Sequence, residues 1–149
     1  MPCNHRGEVE VIGLIPVSYP NFPYDKAGVI GGFVALDYTW VGSGAVSKIL
    51  WRLGIPVLLV LVRDFTPPSM EQMDVIVSYI KTIISMGKKV VVACLGGHGR
   101  TGTVLAVWAG LNGVKNPVEY VRRVYCPRAV ETPEQEEFVY KYLRERTRS

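Results

Sequence analysis

The sequence predicts an α/β fold with a central, mostly parallel β-sheet flanked by helices. Two observations carry this prediction. Short apolar, β-branched stretches alternate with longer segments of helical periodicity, and several of the apolar stretches are continuous runs, as buried parallel strands are. The chain has 149 residues, of which 48% are hydrophobic and 20% charged, so its length and composition fit one globular domain over residues 1–149.

Apolar patterns and turn residues place the individual elements. Strands are predicted at 8–15, 29–36, 56–62 and 90–93, the last two as buried strands. Helices are predicted at 43–53, at 69–86, at 100–111, from 116 onward and at 132–146. The clearest is 69–86, which begins with a capping box of Ser69 and Gln72 and ends at Gly87. Residues 19–25 alternate aromatics with prolines and form a loop that packs on the core or lines a substrate pocket.

The most informative stretch is Cys94 to Gly102, with the sequence Cys-Leu-Gly-Gly-His-Gly-Arg-Thr-Gly. A strand ends at the cysteine, glycines turn the backbone and a helix follows. Loop N–H groups and a helix N-terminus attract an anion, and the same surroundings favour a thiolate. Arg100 can donate two parallel hydrogen bonds to a phosphate, and Thr101 can donate to the sulfur. We therefore predict a phosphate site around a thiol nucleophile, with phosphate bound by Leu95, Gly96, Gly97, His98, Gly99 and Arg100.

This stretch has two other interpretations. A buried structural cysteine is the common role of a lone cysteine, but it leaves the glycines, the arginine and the adjacent hydroxyl as a coincidence. A nucleotide-binding P-loop requires the pattern G-x-x-x-x-G-K-[ST]. Here the loop begins with Cys94 and has Arg100 where the lysine belongs, so we favour the thiol interpretation.

Hydrolysis of a phosphate ester also needs a proton donor for the leaving oxygen. Asp64 follows the apolar run 56–62 and opens a loop with two prolines. Acids at the carboxyl ends of strands lie where ligands bind in α/β sheets, so Asp64 is the predicted general acid. Asp37, which follows the predicted strand 29–36, is the alternative candidate for the general acid. A further interpretation is that Asp64 is an ordinary turn residue without a catalytic role.

The loop resembles the signature C-x5-R-[ST]-G of the cysteine-dependent protein tyrosine phosphatases, in particular the small dual-specificity type. Cys94, Arg100, Thr101 and Gly102 match it, whereas Ala93 stands where the family commonly has histidine. The resemblance covers about residues 40–145 and implies a phosphatase loop between a buried strand and a helix. We expect the atypical residues 1–40 to complete the sheet.

The resemblance also implies roles for residues outside the loop. Asp64 falls in the family's mobile acid loop, about thirty residues before the cysteine, and Gln135 falls where a glutamine positions water. Thr132, Pro133 and Gln135 equally form a capping box. The role of Gln135 therefore stays open between catalysis and helix capping.

The activity that the resemblance implies is hydrolysis of phosphotyrosine, with phosphoserine and phosphothreonine as further substrates, through a phosphocysteine intermediate and without cofactor or metal. The alternatives are an RNA 5′-phosphatase, a phosphoinositide phosphatase, and an inactive module that binds phosphopeptides. No basic strip interleaved with aromatics supports RNA, the loop lacks the lysines common in phosphoinositide enzymes, and inactive relatives usually lose the cysteine.

Composition limits the kinds of binding partner and the cellular compartment that we expect for this chain. The net charge of +4 suits anionic substrates without indicating nucleic acid. The three cysteines, Cys3, Cys94 and Cys126, show no metal-ligand spacing, and an odd number argues against a disulfide framework. With no signal peptide and no apolar run of about twenty residues, we expect a cytoplasmic monomer that meets phosphorylated proteins or peptides, and neither membrane nor nucleic acid.

Overall fold

The computed structural model of the chain describes Cys3 and residues 6–42 and 44–147. Its sheet has four strands, β1 (Leu14–Ser18), β2 (Ile30–Ala35), β3 (Val57–Leu59) and β4 (Lys89–Cys94). The strands lie in the order β1-β4-β2-β3, and every neighbouring pair is parallel. The predicted α/β class is confirmed, and the N-terminal segment does complete the sheet, because it supplies β1 and β2.

Six α-helices surround the sheet in the described part of the chain. They are α1 (Thr39–Gly42), α2 (Gly44–Arg52), α3 (Met70–Ser85), α4 (Gly99–Leu111), α5 (Pro117–Val124) and α6 (Pro133–Arg146), and a short 3₁₀ helix spans Tyr24–Val29. Ser69 and Thr132 cap α3 and α6 with the two predicted capping boxes. Ser43, where one helix was predicted to begin, lies outside the described residues. No helix among the described residues is long and apolar enough to cross a membrane.

The two faces of the sheet are buried by different elements. Val92 and Cys94 of β4 belong to an apolar cluster with α3, α4, α5 and α6. Val91 and Ala93 belong to a second cluster, which includes Trp40, Leu50 and Phe22. Phe22 comes from the proline-rich loop, and its ring stacks on that of Phe33 with 6.4 Å between centroids. The loop therefore packs on the core.

Two predicted strands differ from the structure. The strand predicted at 8–15 begins only at Leu14, because Ile12 and Gly13 both have positive φ (49° and 87°) and turn the chain. The strand predicted over 56–62 is present, but it is shorter and less buried than predicted, although Val60 and Val62 beyond it are buried. The observed β3 has three residues at the sheet edge, and Val57 and Leu59 are 36% and 37% exposed, because an edge strand has a neighbour on one side only.

The carboxyl ends of the strands bring the predicted site residues together. Cys94 is the last residue of β4, and Asp37 follows β2 by two residues. Beyond β3 the chain continues beside β2, since Val60 N–H donates to the Ala35 carbonyl and Val62 N–H to that of Leu36. This extension delivers Asp64 to the same end of the sheet, where α/β proteins bind ligands.

Candidate active site

Cys94 lies at a small cavity, and two donors converge on its sulfur. The Thr101 hydroxyl donates to Cys94 Sγ at 3.0 Å, and the Gly97 N–H donates at 3.2 Å. The thiol is free and only 2% of the residue is exposed. The cavity has a volume of about 170 Å³ and is lined by Asp64, Phe65, Cys94, Leu95, Gly96, His98, Gly99, Arg100 and Glu131. The predicted nucleophile and its predicted hydroxyl partner are thus in direct contact.

The loop after Cys94 is held from outside by a residue that the sequence did not single out. Tyr125 donates its hydroxyl to the Gly97 carbonyl at 2.6 Å, and Gly97 has φ of 76°, which favours glycine. Burial, and then the nearby charge of Cys94, raise the pKa of Tyr125, so its hydroxyl remains a donor. Tyr125 therefore positions the loop by fixing one of its carbonyls.

Arg100 is buried and anchored through its terminal nitrogens. Nη1 donates to the Val62 carbonyl at 3.0 Å, and Nη2 lies 3.1 Å from Asp37 Oδ2. Nε is buried, lies 3.6 Å from Asp64 Oδ1, and makes no hydrogen bond to any described residue. The guanidinium thus lines the cavity while its Nε–H makes no hydrogen bond to the described residues, which suits an arriving phosphate.

The two candidate acids occupy different surroundings. Asp37 accepts from Thr39 N–H at 2.9 Å through Oδ1 and from Leu95 N–H at 2.8 Å through Oδ2, and its side chain is 16% exposed. Asp64 lines the cavity with a side chain that is 56% exposed, and its Oδ1 accepts from Phe65 N–H at 3.0 Å. Asp37 thus holds the loop, including an N–H predicted to bind phosphate, and Asp64 faces the space where a substrate would lie.

Gln135 is fully buried and connects α6 to the loop that follows Asp64. Its Oε1 accepts from the N–H groups of Glu131 and Thr132 at 2.8 and 3.1 Å, and its Nε2 donates to the Thr66 carbonyl at 3.3 Å. Thr132 adds a second link, because its hydroxyl donates to the Phe65 carbonyl at 3.1 Å. The capping role is present in the structure, and the catalytic role of Gln135 stays a prediction.

Two further residues of the cavity wall were not predicted. Phe65 and Glu131 both line it. Phe65 has φ of 65°, and Val130, which precedes Glu131, has φ of 60°. Left-handed backbone is costly for bulky side chains and concentrates at functional sites. Sequence patterns carry no signal for such a conformation at a phenylalanine or a valine.

The remaining predicted loop residue, His98, is half-buried. Burial, and then the charge of Arg128, lower its pKa, while Glu131 opposes the shift. Close to it, Cys3 and Cys126 form a disulfide with 4.4 Å between their Cα atoms. The expectation against a disulfide is wrong for this pair, because the fold joins residues 123 positions apart in the sequence.

Comparison with known proteins agrees with this geometry. The family model described as Tc-R-P, polymorphic toxin system, DSP-PTPase phosphatase, matches residues 35–113, more than half of the chain. The chain is 55% identical over 146 residues to the uncharacterized protein MJ0215 of Methanocaldococcus jannaschii, covering 98% of this chain and 91% of that protein.

Solved structures show the same likeness. The active form of Tk-PTP is 35% identical, with a TM-score of 0.72 over 89% of this chain and 90% of that one. PTPMT1 in complex with PI(5)P shares the fold at 16% identity, with a TM-score of 0.75 over 90% and 92% of the two chains. The chain therefore belongs to the DSP-PTPase family, the small dual-specificity phosphatases of the cysteine-dependent protein tyrosine phosphatase superfamily.

Proposed function

We propose that the protein hydrolyses phosphotyrosine in proteins or peptides through a phosphocysteine intermediate. The observation that carries this proposal is the convergence of the Thr101 hydroxyl and the Gly97 N–H on Cys94 Sγ, at a cavity lined by Arg100. Both groups are donors, which suits a sulfur that accepts hydrogen bonds. A thiolate in that place is a strong nucleophile.

In the first step, Cys94 Sγ attacks phosphorus in line with the leaving oxygen, and the phosphorus–oxygen bond breaks. Loop N–H groups and Arg100 stabilise the charge on the other phosphoryl oxygens. Asp64 gives its proton to the leaving oxygen, which its place on the cavity wall permits.

In the second step, water attacks the phosphocysteine and Asp64 takes its proton. The sulfur–phosphorus bond breaks, and inorganic phosphate leaves. The Thr101 hydroxyl, 3.0 Å from Sγ, stabilises the departing thiolate. The cycle ends with Cys94 and Asp64 in their starting protonation states.

The shape of the cavity supports a substrate that stays mostly at the surface. Its volume of about 170 Å³ is small beside the roughly 300–1,000 Å³ of pockets that enclose a whole ligand. Phe65 and Leu95 line it and are 57% and 55% exposed, so both offer apolar surface to an aromatic ring. Aromatic pairs add about 0.5–1.5 kcal/mol beyond burial, which favours phosphotyrosine over phosphoserine.

Parallel assays test the proposal. Phosphate release is measured in EDTA with phosphotyrosine peptide, phosphoserine peptide, PI(5)P vesicles and 5′-triphosphorylated RNA. We expect the highest kcat/KM on phosphotyrosine peptide, and Cys94→Ser should retain less than about a thousandth of the activity, equivalent to roughly 4 kcal/mol. Higher activity on RNA or lipid would move the assignment to that substrate. Binding of phosphopeptide without turnover by the wild type would show a recognition module instead.

A further inference from the structure

A second cluster of reactive side chains lies at the phosphate loop, apart from the nucleophile. The sulfurs of Cys3 and Cys126 and a ring nitrogen of His98 all lie within 4.8 Å of one another. His98 belongs to the loop, Cys126 follows α5, and Cys3 is near the N-terminus. The three side chains come from distant segments, so spacing along the sequence does not reveal the cluster.

The disulfide accounts for only part of this arrangement. It joins the two sulfurs, whereas the ring nitrogen of His98 beside them is a third group of the kind that ligates metals. A cellular thiol reductant of the glutathione or thioredoxin type would cleave the Cys3–Cys126 bond by supplying two electrons and two protons, which leaves two thiols and the oxidised reductant. A working Cys94 thiolate needs surroundings that keep it reduced, so this step rests on the proposed function, whereas the proximity of the three ligand atoms does not.

We propose that the reduced protein binds one Zn²⁺ through Cys3, Cys126 and His98. Two thiolates and an imidazole are a donor set that zinc takes, with water or another donor in the fourth tetrahedral position. Binding replaces the two thiol protons by the metal and releases them to solvent. No electron is transferred, so the step needs no oxidant or reductant once the pair is reduced.

The position of the cluster gives the metal a structural consequence. Cys126 is fully buried and Cys3 and His98 are half-buried, so the ion would be largely withdrawn from water. It would tie the N-terminal segment to the phosphate loop and to the segment after α5. Because the loop also holds Cys94 and Arg100, zinc would stabilise the folded protein and limit the freedom of the loop.

The test measures metal content and does not depend on catalysis. Full-length protein is reduced with TCEP under anaerobic conditions, incubated with Zn²⁺ or Co²⁺, desalted and analysed for bound metal. We expect about one ion per chain in the wild type and in Cys94→Ser, and less than about a tenth of that in Cys3→Ser and Cys126→Ser. The cobalt form should show a thiolate charge-transfer band that Cys3→Ser lacks.

A matched variant tests the nitrogen ligand. His98→Ala should weaken Co²⁺ binding by more than the roughly 10–100-fold that loss of an outer-shell partner costs, and its circular dichroism checks that it folds.

Retention of metal by Cys3→Ser at the wild-type level, or no uptake by protein with three titratable thiols, would overturn the proposal. A protein mass that stays two hydrogens below that of the fully reduced chain in TCEP would also overturn the proposal, because Cys3 and Cys126 would then form a stable disulfide. The Cys94→Ser protein takes up metal even if the proposed activity is wrong, so the two failures are distinguishable.

Discussion

Asp37 and Arg100 form a largely buried ion pair, with 3.1 Å between Asp37 Oδ2 and Arg100 Nη2. The same carboxylate oxygen accepts the Leu95 N–H at 2.8 Å. One aspartate thus orients the arginine and the first amide of the phosphate loop together. Removing one partner of such a pair leaves the other charge buried without compensation, so we assign Asp37 a positioning role.

The first prediction separates this role from that of the general acid. Asp64→Asn should lose roughly 10²–10⁴ in kcat on phosphate esters with a poor leaving group. The loss should shrink on an ester whose leaving group is already acidic, because that group departs without a proton. Rates on a matched pair of aryl phosphates measure the difference.

Asp37→Asn is the control for the same pair of esters. It should lower kcat/KM on both by a similar factor, since a misplaced Arg100 affects phosphate binding regardless of the leaving group. If Asp37→Asn alone shows the leaving-group dependence, the acid is Asp37 and Asp64 is only a turn residue.

The second prediction concerns the hydroxyl at the sulfur. Thr101 is fully buried, and its hydroxyl lies 3.0 Å from Cys94 Sγ. Thr101→Val should slow breakdown of the phosphocysteine by about tenfold, the worth of one hydrogen bond of roughly 1.4 kcal/mol. A burst of phenol release before the steady state should then appear in stopped-flow traces. Thr101→Ser keeps the hydroxyl and should show no burst, and a burst of equal size in both would exclude this role.

The third prediction tests the geometry of the guanidinium. Lysine keeps the charge of Arg100 but loses the planar set of donors that contacts Val62, Asp37 and the cavity at once. Arg100→Lys should lower kcat/KM by more than about tenfold, or ~1.4 kcal/mol. A smaller loss on phosphotyrosine peptide would show that charge alone suffices.

The site was predictable where local sequence determines the geometry. Cys94, Arg100 and Thr101 lie in one strand–loop–helix unit, so their spacing alone indicates a shared centre. Asp37 and Tyr125 hold the loop from distant segments, and only the fold shows which backbone groups they reach. The exposure of β3 was not predictable from the sequence, because a continuous apolar run does not tell whether a strand lies at the edge of the sheet.

The fourth prediction concerns acid stability. Arg146 and then Tyr142, which both hydrogen-bond to the Asp74 carboxylate, lower its pKa from 3.8. A lowered folded pKa stabilises the protein above the unfolded value, and this stabilisation is lost as the pH falls through the folded value. Asp74→Asn should therefore unfold at lower urea concentration than the wild type at pH 7. The difference should be small, as for exposed pairs, and should shrink as the pH falls below 3.8 and through the lowered folded value. A difference that does not change with pH would contradict the linkage.

The fifth prediction asks what Gln135 does. Its buried amide accepts from the N–H groups of Glu131 and Thr132, just before α6, and donates to the Thr66 carbonyl in the loop after Asp64. Gln135→Ala should lower the free energy of unfolding by about 1–3 kcal/mol, because these buried groups lose their partner. Gln135→Glu keeps the acceptor at the cap and should recover part of that stability, as urea titrations would show.

If Gln135 only caps the helix, the phosphocysteine should break down at the wild-type rate in Gln135→Glu under conditions where this variant is fully folded. A specific slowing of that second step in stopped flow would instead establish that the amide positions the attacking water.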